Sequence, residues 1–450
     1  MDFDQLILLA LENNITLLES DTEEDVIRKL QRAGLLQVDV AKEIPDDVIP
    51  LIQSFLPGKN IGRSLSTSKA FHQLNRLTIP DVVTWNSTNP IPKYITKVKL
   101  GPDVDYLTLM ESLHLTYLDL DFNANVSGES ISRLYNLKEL WIRTNSGKVN
   151  GNILEFLDLE ILWVDPRMKY LGDGLSFQRN LVKLVFAKVT GSRLKNDDLQ
   201  NLVKLKELHL GGANLDNEVF KYIPNLEILH LDFNNNITSL TSLKKLRVLY
   251  CDGNNMEDEE IAKITWLKEL HMEATLNTNK SLMTLTNLEV LETGGSVTDK
   301  GIKNLVNLKR LDCRSNHGIT IKSLALLPKL EASDIGSVYV KNVGILVNLK
   351  HLVVNENVTN EDLKKLVNLR ILSLGHNKNI TDKGLENLNN LEILNVGIAK
   401  ITPKAINRLP NLKILILRNF DNFEESDIKS SIQVLRHGIK TGYGLLYKVT

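Results

Sequence analysis

The sequence predicts an α/β repeat protein, in which short parallel strands alternate with short helices. Two observations support this fold class. A six-residue apolar pattern, Leu-x-x-Leu-x-Leu, recurs along most of the 450 residues, and successive copies mostly begin 20 to 22 residues apart. The clearest copies begin at Leu137, Leu205, Leu267, Leu369 and Leu412. This pattern and period are typical of a leucine-rich-repeat solenoid, whose units bury their apolar faces only against each other.

Within each repeat, the leucine pattern predicts one strand of a parallel sheet. Because side chains alternate across a strand, the leucines should face a shared core, and the residues between them should line the concave face of the sheet. A short convex helix should follow, capped by a threonine such as Thr298, Thr381 or Thr402. An asparagine three residues after the last leucine is expected to bond backbone groups that the turning chain leaves unpaired. It occurs as Asn123, Asn145, Asn234, Asn254, Asn316, Asn357 and Asn377.

The residues outside the repeats divide into three segments. Residues 1–40 are predicted to form a helical pair, and residues 41–86 a separate small helical domain that ends before Pro90 and Pro92. The solenoid should span residues 93–423. Residues 424–450 are predicted to form a C-terminal cap and tail, with an amphipathic helix over residues 424–437. A cap is expected because the last repeat would otherwise expose its core.

Charge and composition narrow the classes of partner. The net charge is −1 and the isoelectric point is about 6.8, so no overall field attracts nucleic acid or anionic lipid. No apolar run is long enough for a membrane-spanning helix, and the first residues are acidic where a signal peptide is basic. We therefore expect a protein of the cytoplasm or nucleus, with no membrane partner. Cys251 and Cys313 fall at core positions of the repeat and should be buried and free.

Residues 44–74 carry a second pattern, ahead of the repeats. Apolar residues recur there at helical spacing: Ile44, Pro45, Ile49, Ile52, Phe55, Leu56, Leu65 and Phe71. The segment resembles an F-box, whose opening Leu-Pro-x-Glu-Leu-Leu and later Ile-x-Ser-Phe-Leu it follows at most positions. It departs from that pattern at Asp47, which replaces Glu, and at Pro50, which is costly inside a helix.

The resemblance implies a small, all-helical F-box-like domain in front of the solenoid. In that family the apolar residues insert into the Skp adaptor of a cullin–RING ubiquitin ligase. The residues of the pattern would therefore bind the adaptor and, through it, cullin. The alternative is that they only pack on each other and on the first repeat, because a block of about 45 residues is too small to bury such faces alone.

The N-terminal helical pair faintly resembles the DNA-binding SAP-type module, but its charge contradicts that function. Residues 1–47 contain twelve Asp or Glu residues against four Lys or Arg residues. Contact with phosphates requires the opposite sign of charge. We therefore predict no nucleic-acid partner.

The central outward residues of the strands identify a candidate surface for a target protein. Aromatic and imidazole side chains occupy it in the middle repeats: Trp141, Trp163, His209, His230, Tyr250 and His271. Acidic residues flank them: Asp165, Asp232, Asp252 and Glu273. Exposed aromatic side chains bury much area at low entropic cost, so we predict that these residues bind a basic or mixed segment of a target protein. The alternative is that neighbouring side chains partly cover the tryptophans and the stripe is incidental. Towards the C-terminus, glycines flank the strands and should offer little to grip.

No arrangement in the sequence is typical of an enzyme. It has no glycine-rich phosphate loop after a strand, no serine elbow and no paired metal-ligand spacing. His209 and His230 lie on adjacent predicted strands, near Asp232 and Asp252. Side chains on an open sheet face seldom converge within about 2 Å of one Zn²⁺, however. We therefore predict no catalytic residue, no cofactor and no metal.

These patterns predict the substrate-recognition subunit of an SCF-type cullin–RING ubiquitin ligase, which is expected to be a monomer outside the complex. The F-box-like segment would dock the adaptor, and the concave face would hold the target protein near the ligase, contributing proximity alone. The alternative function is a non-catalytic leucine-rich-repeat scaffold or inhibitor, which binds a protein partner without recruiting a ligase.

Overall fold

A computed structural model of the chain describes most of the repeat region. The described residues are 82–86, 91–93, 95–102, 104–120, 123, 125–142, 148–187, 191–211, 213–231, 234–273, 275–314, 316–335, 340–354, 356–418 and 424–437. They fall into two compact units, unit 1 up to Leu205 and unit 2 from Lys206 onward. The predicted helical pair at residues 1–40 and the F-box-like residues 44–74 lie outside the described residues. Within those ranges, no helix has the length and apolarity needed to cross a bilayer.

Unit 1 contains a parallel sheet to which successive repeats each contribute one strand. The strands are β1 (Val83–Trp85), β2 (Lys97–Leu100), β3 (Tyr117–Asp119), β4 (Glu139–Ile142), β5 (Ile161–Val164) and β6 (Lys183–Phe186). Each pairs with the next in register, so that Val98, Leu118, Leu140, Leu162 and Leu184 occupy equivalent positions. The helices between them are α1 (Tyr106–Met110), α2 (Gly128–Ser132) and α3 (Leu171–Leu175), with 3-10 helices at Gly151–Phe156 and Asn196–Leu199.

Unit 2 continues the same architecture. Its strands are β7 (Glu207–His209), β8 (Ile228–His230), β9 (Val248–Tyr250), β10 (Glu269–Met272), β11 (Val290–Thr293), β12 (Arg310–Asp312), β13 (Ala332–Asp334), β14 (His351–Val353), β15 (Ile371–Ser373), β16 (Ile393–Asn395), β17 (Ile414–Arg418) and β18 (Gln433–His437). Its helices are α4 (Asp258–Ile261), α5 (Asn279–Leu282), α6 (Asp299–Ile302), α7 (Ile321–Leu324), α8 (Asn360–Leu363), α9 (Asp382–Leu385) and α10 (Pro403–Ile406). The 3-10 helices are Asn217–Lys221, Val343–Ile345 and Glu425–Asp427. Every strand pairing within the unit is parallel.

The predicted alternation of side chains is present in both units. Strand leucines such as Leu140 and Leu270 are 0% exposed, whereas the residues beside them in the strand are partly exposed. Cys251 and Cys313 are 1% and 0% exposed and form no disulfide, as predicted. The leucine-rich-repeat fold, with parallel strands and short helices, is therefore confirmed for the described residues.

The repeated asparagine holds the turn after several of the strands, as the sequence indicates. Asn316 is fully buried, and its Nδ2 donates to the carbonyls of Gly294 and Val297 in the preceding repeat, at 2.5 and 2.8 Å. Its Oδ1 accepts from the backbone N–H groups of Gly318 and Ile319 at 2.8 and 3.0 Å. Equivalent bonds are made by Asn123, Asn234, Asn254 and Asn377. One side chain thus satisfies backbone groups in two repeats.

On the helical side, threonine and aspartate link neighbouring repeats. Thr402 caps α10 by accepting from the backbone N–H of Ala405, and Thr298 caps α6 in the same way, but Thr381 makes no side-chain cap bond. Asp382 accepts from both the N–H and the Oγ1 of Thr402, at 2.8 and 2.7 Å. This role of the aspartate, which ties the start of one helix to the start of the next, was not predicted from the sequence.

The first strand begins earlier than predicted. We expected Trp85 to belong to the helical domain at residues 41–86. It lies instead in β1, which pairs in parallel with β2, and the indole is 1% exposed. Val83 and Trp85 provide the apolar alternation of a strand without the leucine pattern, which explains why the sequence period does not reveal it.

The prediction of an amphipathic helix over residues 424–437 is wrong. A short 3-10 helix, Glu425–Asp427, is followed by β18, which pairs in parallel with β17. Ile432 follows Leu412 by 20 residues and is buried, so this segment forms one more repeat. The pairing with β18 satisfies backbone groups that would leave β17 as an open edge.

The asparagine bonds yield a stability prediction. We expect Asn316→Ala to lower the free energy of unfolding by about 2–4 kcal/mol, because it leaves several buried backbone groups unpaired. Asn287→Ala is the matched control: this exposed amide makes a single bond to the Thr265 carbonyl, and its loss should cost less than about 1 kcal/mol. Urea unfolding followed by circular dichroism measures both. Equal shifts of the unfolding midpoint would contradict this account of the turn.

Candidate protein-binding face

Four ring side chains form a continuous stack on the outer face of the unit 2 sheet, the face that the sequence analysis identified as concave. His209, His230, Tyr250 and His271 occupy equivalent positions on β7 to β10. Successive ring centroids are 3.6, 3.9 and 4.0 Å apart, and the planes are inclined by 13°, 7° and 9°. We call these four residues the ring column. Both faces of the two inner rings are covered by neighbours, so these rings present their edges rather than their faces.

Carboxylates hold both ends of the ring column. Glu207 Oε1 lies 2.6 Å from Nε2 of His209 at one end. At the other end, Glu292 Oε2 lies 2.9 Å from Nδ1 of His271, and Glu269 Oε2 lies 4.0 Å from its Nε2. These carboxylates were not among the site residues predicted from the sequence. Glu207 and Glu269 each precede a ring residue by two positions, so strand alternation alone was enough to place them on the same face.

The charge of His271 is set by these carboxylates. Burial alone would lower the pKa of its imidazole, whose side chain is 14% exposed, but Glu269 and Glu292 outweigh burial and raise the pKa to about 9. His271 is therefore an imidazolium at neutral pH, stacked on Tyr250. A raised pKa favours the folded state while the ring is charged. That contribution is complete below the ordinary value of 6.5 and is lost as the pH rises through about 9.

The acidic residues predicted to flank the site differ in their exposure. Asp165 is 3% exposed, and Arg167 covers it, with Nε and Nη2 donating to its two oxygens at 3.0 and 2.6 Å. The prediction that Asp165 offers an exposed charge is therefore wrong. Asp252 and Glu273 are partly exposed in unit 2, and Asp232 lies outside the described residues.

The two tryptophans of the predicted site belong to unit 1, whereas the ring column belongs to unit 2. Trp141 and Trp163 are adjacent on β4 and β5, with ring centroids 6.4 Å apart and planes inclined by 15°. Trp141 also contacts Tyr117 and donates its indole N–H to Glu139 Oε1 at 2.6 Å. Both indoles are partly covered. We treat this pair as a separate surface.

The C-terminal strands carry an apolar cluster whose side chains are buried. Val353, Ile371, Ile393 and Ile416 form one cluster and are 6 to 8% exposed. Ile414 and Leu435 pack against it. Ile371 and Ile393 occupy the first position of their strands, two residues before the position on which the sequence analysis relied.

One group of side chains has the composition of a metal site. Ligand atoms of Glu207, His209 and His230 lie within 4.8 Å of one another. The two imidazole planes are stacked and nearly parallel, so their in-plane lone pairs run side by side instead of converging on one point. Zn²⁺ requires ligands that converge at about 2 Å in a tetrahedral arrangement. We therefore assign no metal to this group.

Comparison with known proteins returned solved structures only, since no protein-family model and no curated protein sequence matches the chain. An internalin (inlF) from Listeria monocytogenes is 22% identical, with a TM-score of 0.38, over 68% of this chain and 82% of that one. The Leptospira interrogans leucine-rich-repeat protein LIC12759 is 22% identical, with a TM-score of 0.38, over 72% and 92% of the two chains. The functional domain of InlJ from Listeria monocytogenes is 17% identical, with a TM-score of 0.35, over 72% and 62%. The repeat assignment therefore rests on the strand register and period of this chain.

The contacts of His271 with Glu269 and Glu292 yield a titration prediction. In the NMR spectrum of protein labelled with ¹³C-histidine, His271 should titrate with a midpoint of about 9. Glu292→Gln should lower that midpoint by about one unit or more, because it removes the carboxylate bonded to Nδ1. His351 provides an internal comparison, since burial and the nearby Arg310 and Arg370 lower its pKa below 6.5. A His271 midpoint at or below 6.5, or one that Glu292→Gln leaves unchanged, would contradict the claim that these carboxylates raise the pKa of His271.

Proposed function

We propose that this protein is a non-catalytic leucine-rich-repeat scaffold, and that unit 2 binds a protein partner on its outer sheet face. The ring column is the observation that carries the proposal. Its four side chains are held by mutual stacking and by carboxylates at both ends, so they lose little conformational freedom on binding. Tyrosine is enriched in binding hot spots, and Tyr250 is held here in a pre-organised position.

The charges around the ring column favour a basic or mixed segment of the partner. Glu207, Glu269 and Glu292 contact it, and His271 carries a positive charge at neutral pH. Arg314 lies 3.6 Å from the second oxygen of Glu292. Three carboxylates thus lie beside the cations His271 and Arg314, although the whole chain is nearly neutral. Lysine or arginine side chains of a partner can pair with the outer carboxylate oxygens while their stems lie along the ring edges.

Removal of one inner ring tests the proposal. Tyr250→Ala should abolish the capture of a specific partner from a lysate of the source cells, because it opens a gap in the middle of the ring column. Tyr222→Ala is the matched control, a partly exposed tyrosine of unit 2 that follows a 3-10 helix on the other side of the repeat. Quantitative mass spectrometry would compare both variants with the wild type. The proposal requires a protein that is retained by the control and lost with Tyr250→Ala; partners retained equally by all three would refute it.

A second candidate function is recruitment of a ubiquitin ligase through residues 44–74. It is supported by the sequence pattern alone, namely the match of Ile44, Pro45, Ile52, Phe55 and Leu56 to the F-box opening. In this function the Skp adaptor and cullin would be partners, the outer sheet face would hold the target for ubiquitin transfer, and the protein would act in the cytoplasm or nucleus.

Direct binding of the purified Skp adaptor tests this second function. Wild-type protein should retain the adaptor, and Ile52→Ala/Leu56→Ala should lose it, because apolar anchors carry such interfaces. Circular dichroism should show that the repeats of the variant remain folded. Absence of adaptor binding by the folded wild type would leave the scaffold function alone.

A further inference from the structure

A groove distinct from the ring column lies along the edge of the sheet at which the strands of unit 2 begin. Its volume is about 790 Å³. The residues that immediately precede β12 to β17 line it: Lys309, Glu331, Lys350, Arg370, Glu392 and Lys413. Because these strands are in register, the six side chains form one row with one residue from each repeat. We call this row the rim.

Cations outnumber carboxylates in the groove. The positive side chains are Lys309, Lys329, Lys350, Arg370 and Lys413, and the negative ones are Glu331 and Glu392. The excess belongs to this groove, since the whole chain has a net charge of −1. The excess positive charge extends over only a few neighbouring repeats. This length matches a short peptide better than a long polymer.

One rim carboxylate, Glu392, lies deeper than the cations beside it, whereas Glu331 and its partner Lys350 are 49% and 46% exposed. Glu392 accepts from Lys413 at 2.8 Å and also pairs with Arg370. Its side chain is 22% exposed, whereas those of Arg370 and Lys413 are 56% and 70% exposed. Arg370 and Lys413 together hold the pKa of Glu392 at about 2, so one partly covered negative charge lies between two more exposed positive ones. Around Glu392, a ligand that approaches the groove therefore meets cations first.

The alternation of charge along the rim breaks at one place. Lys350 and Arg370 lie on neighbouring strands with no carboxylate between them, at a backbone spacing of about 4.8 Å. Lys350 pairs with Glu331 on one side, at 2.8 Å, and Arg370 pairs with Glu392 on the other. A carboxylate of a ligand placed between the two cations can contact both without displacing either pair.

A second row of side chains in the groove offers hydrogen-bond acceptors. Asn368, Asn390 and Asn411 each donate Nδ2 to a carbonyl of an earlier repeat, at 3.0, 3.0 and 2.8 Å. These bonds fix the amide planes and keep the amide oxygens as acceptors at repeat spacing. The backbone N–H groups of a peptide can bond such oxygens. A phosphodiester backbone has no donor for them.

We propose that this groove is a second binding site, which takes an extended acidic peptide segment of a protein partner. The carboxylates of the peptide would pair with Lys350 and Arg370, and the main chain of the peptide would follow the row of Asn368, Asn390 and Asn411. A peptide is favoured over nucleic acid because Glu331 and Glu392 interrupt the cations, which a continuous polyanion would have to oppose. The inference concerns a different surface from the ring column, so either can fail without the other.

Fluorescence anisotropy with the full-length protein tests the proposal. The probe is a fluorescein-labelled peptide of alternating Glu and Gly residues, compared with one in which Gln replaces Glu. The acidic peptide should bind, and added salt should weaken its binding because exposed charges are screened. Lys350→Gln/Arg370→Gln should weaken binding roughly tenfold, since both charges contact the ligand.

The matched control removes the same charge from elsewhere in unit 2. Lys300→Gln/Lys383→Gln changes two exposed lysines on α6 and α9, and it should alter affinity by less than about twofold. Thermal unfolding should show that both double variants are folded, because exposed ion pairs contribute little to stability. Three results would overturn the proposal: no binding by the wild type, an equal loss in both double variants, or stronger competition by duplex DNA than by unlabelled acidic peptide.

Discussion

Register between neighbouring repeats is the constraint on which the rest of this structure depends. A repeat buries its leucines only against the repeats on either side, so Leu208, Leu229 and Leu249 must lie side by side. A slip of one residue would turn the leucines of a strand towards water. The same register places every other position of the repeat in a row of its own, and these rows carry the surfaces that we assign to binding.

In each row, side chains at the same position of neighbouring repeats contact one another and act together. At the centre of the strands, adjacent rings stack into the ring column. At the rim, like charges on neighbouring strands would repel at about 4.8 Å, and opposite charges there stabilise each other. Glu289, for example, pairs with both Lys268 and Lys309, at 2.8 and 2.7 Å, and its pKa falls to about 2. Between Lys350 and Arg370 the charges do not alternate, and a partner can neutralise the positive charge there.

The sequence was sufficient for features that depend on the repeat itself. The period of the leucines predicted the strands, the buried Cys251 and Cys313 and the bonds of Asn316, because each follows from burial or from the turn of one unit. It failed at the two ends. The first and last described strands, which lie at Trp85 and after Ile432, lack the Leu-x-x-Leu-x-Leu pattern, and a parallel strand needs only alternating apolar residues and an open edge to pair with.

The candidate site was predicted residue by residue, but its arrangement was not. The positions of His209, His230, Tyr250 and His271 follow from the period, whereas their stacking depends on rotamers that a sequence does not specify. Asp165 was wrongly expected to be exposed because Arg167, two residues later, folds back onto it. The rim groove was missed because it combines positions just before the strands with positions in the preceding turns, which lie close together only in the folded repeat.

A disulfide across two strands tests the register most directly. In His209→Cys/His230→Cys the two α-carbons should lie about one strand spacing apart, within the range that a disulfide spans. Mild oxidation should therefore link them, and mass spectrometry would identify the linked peptide. Glu207→Cys/His230→Cys, offset by two residues, should remain reduced under the same conditions. A disulfide in the offset pair, or none in the aligned pair, would contradict the register on which both proposed binding surfaces depend.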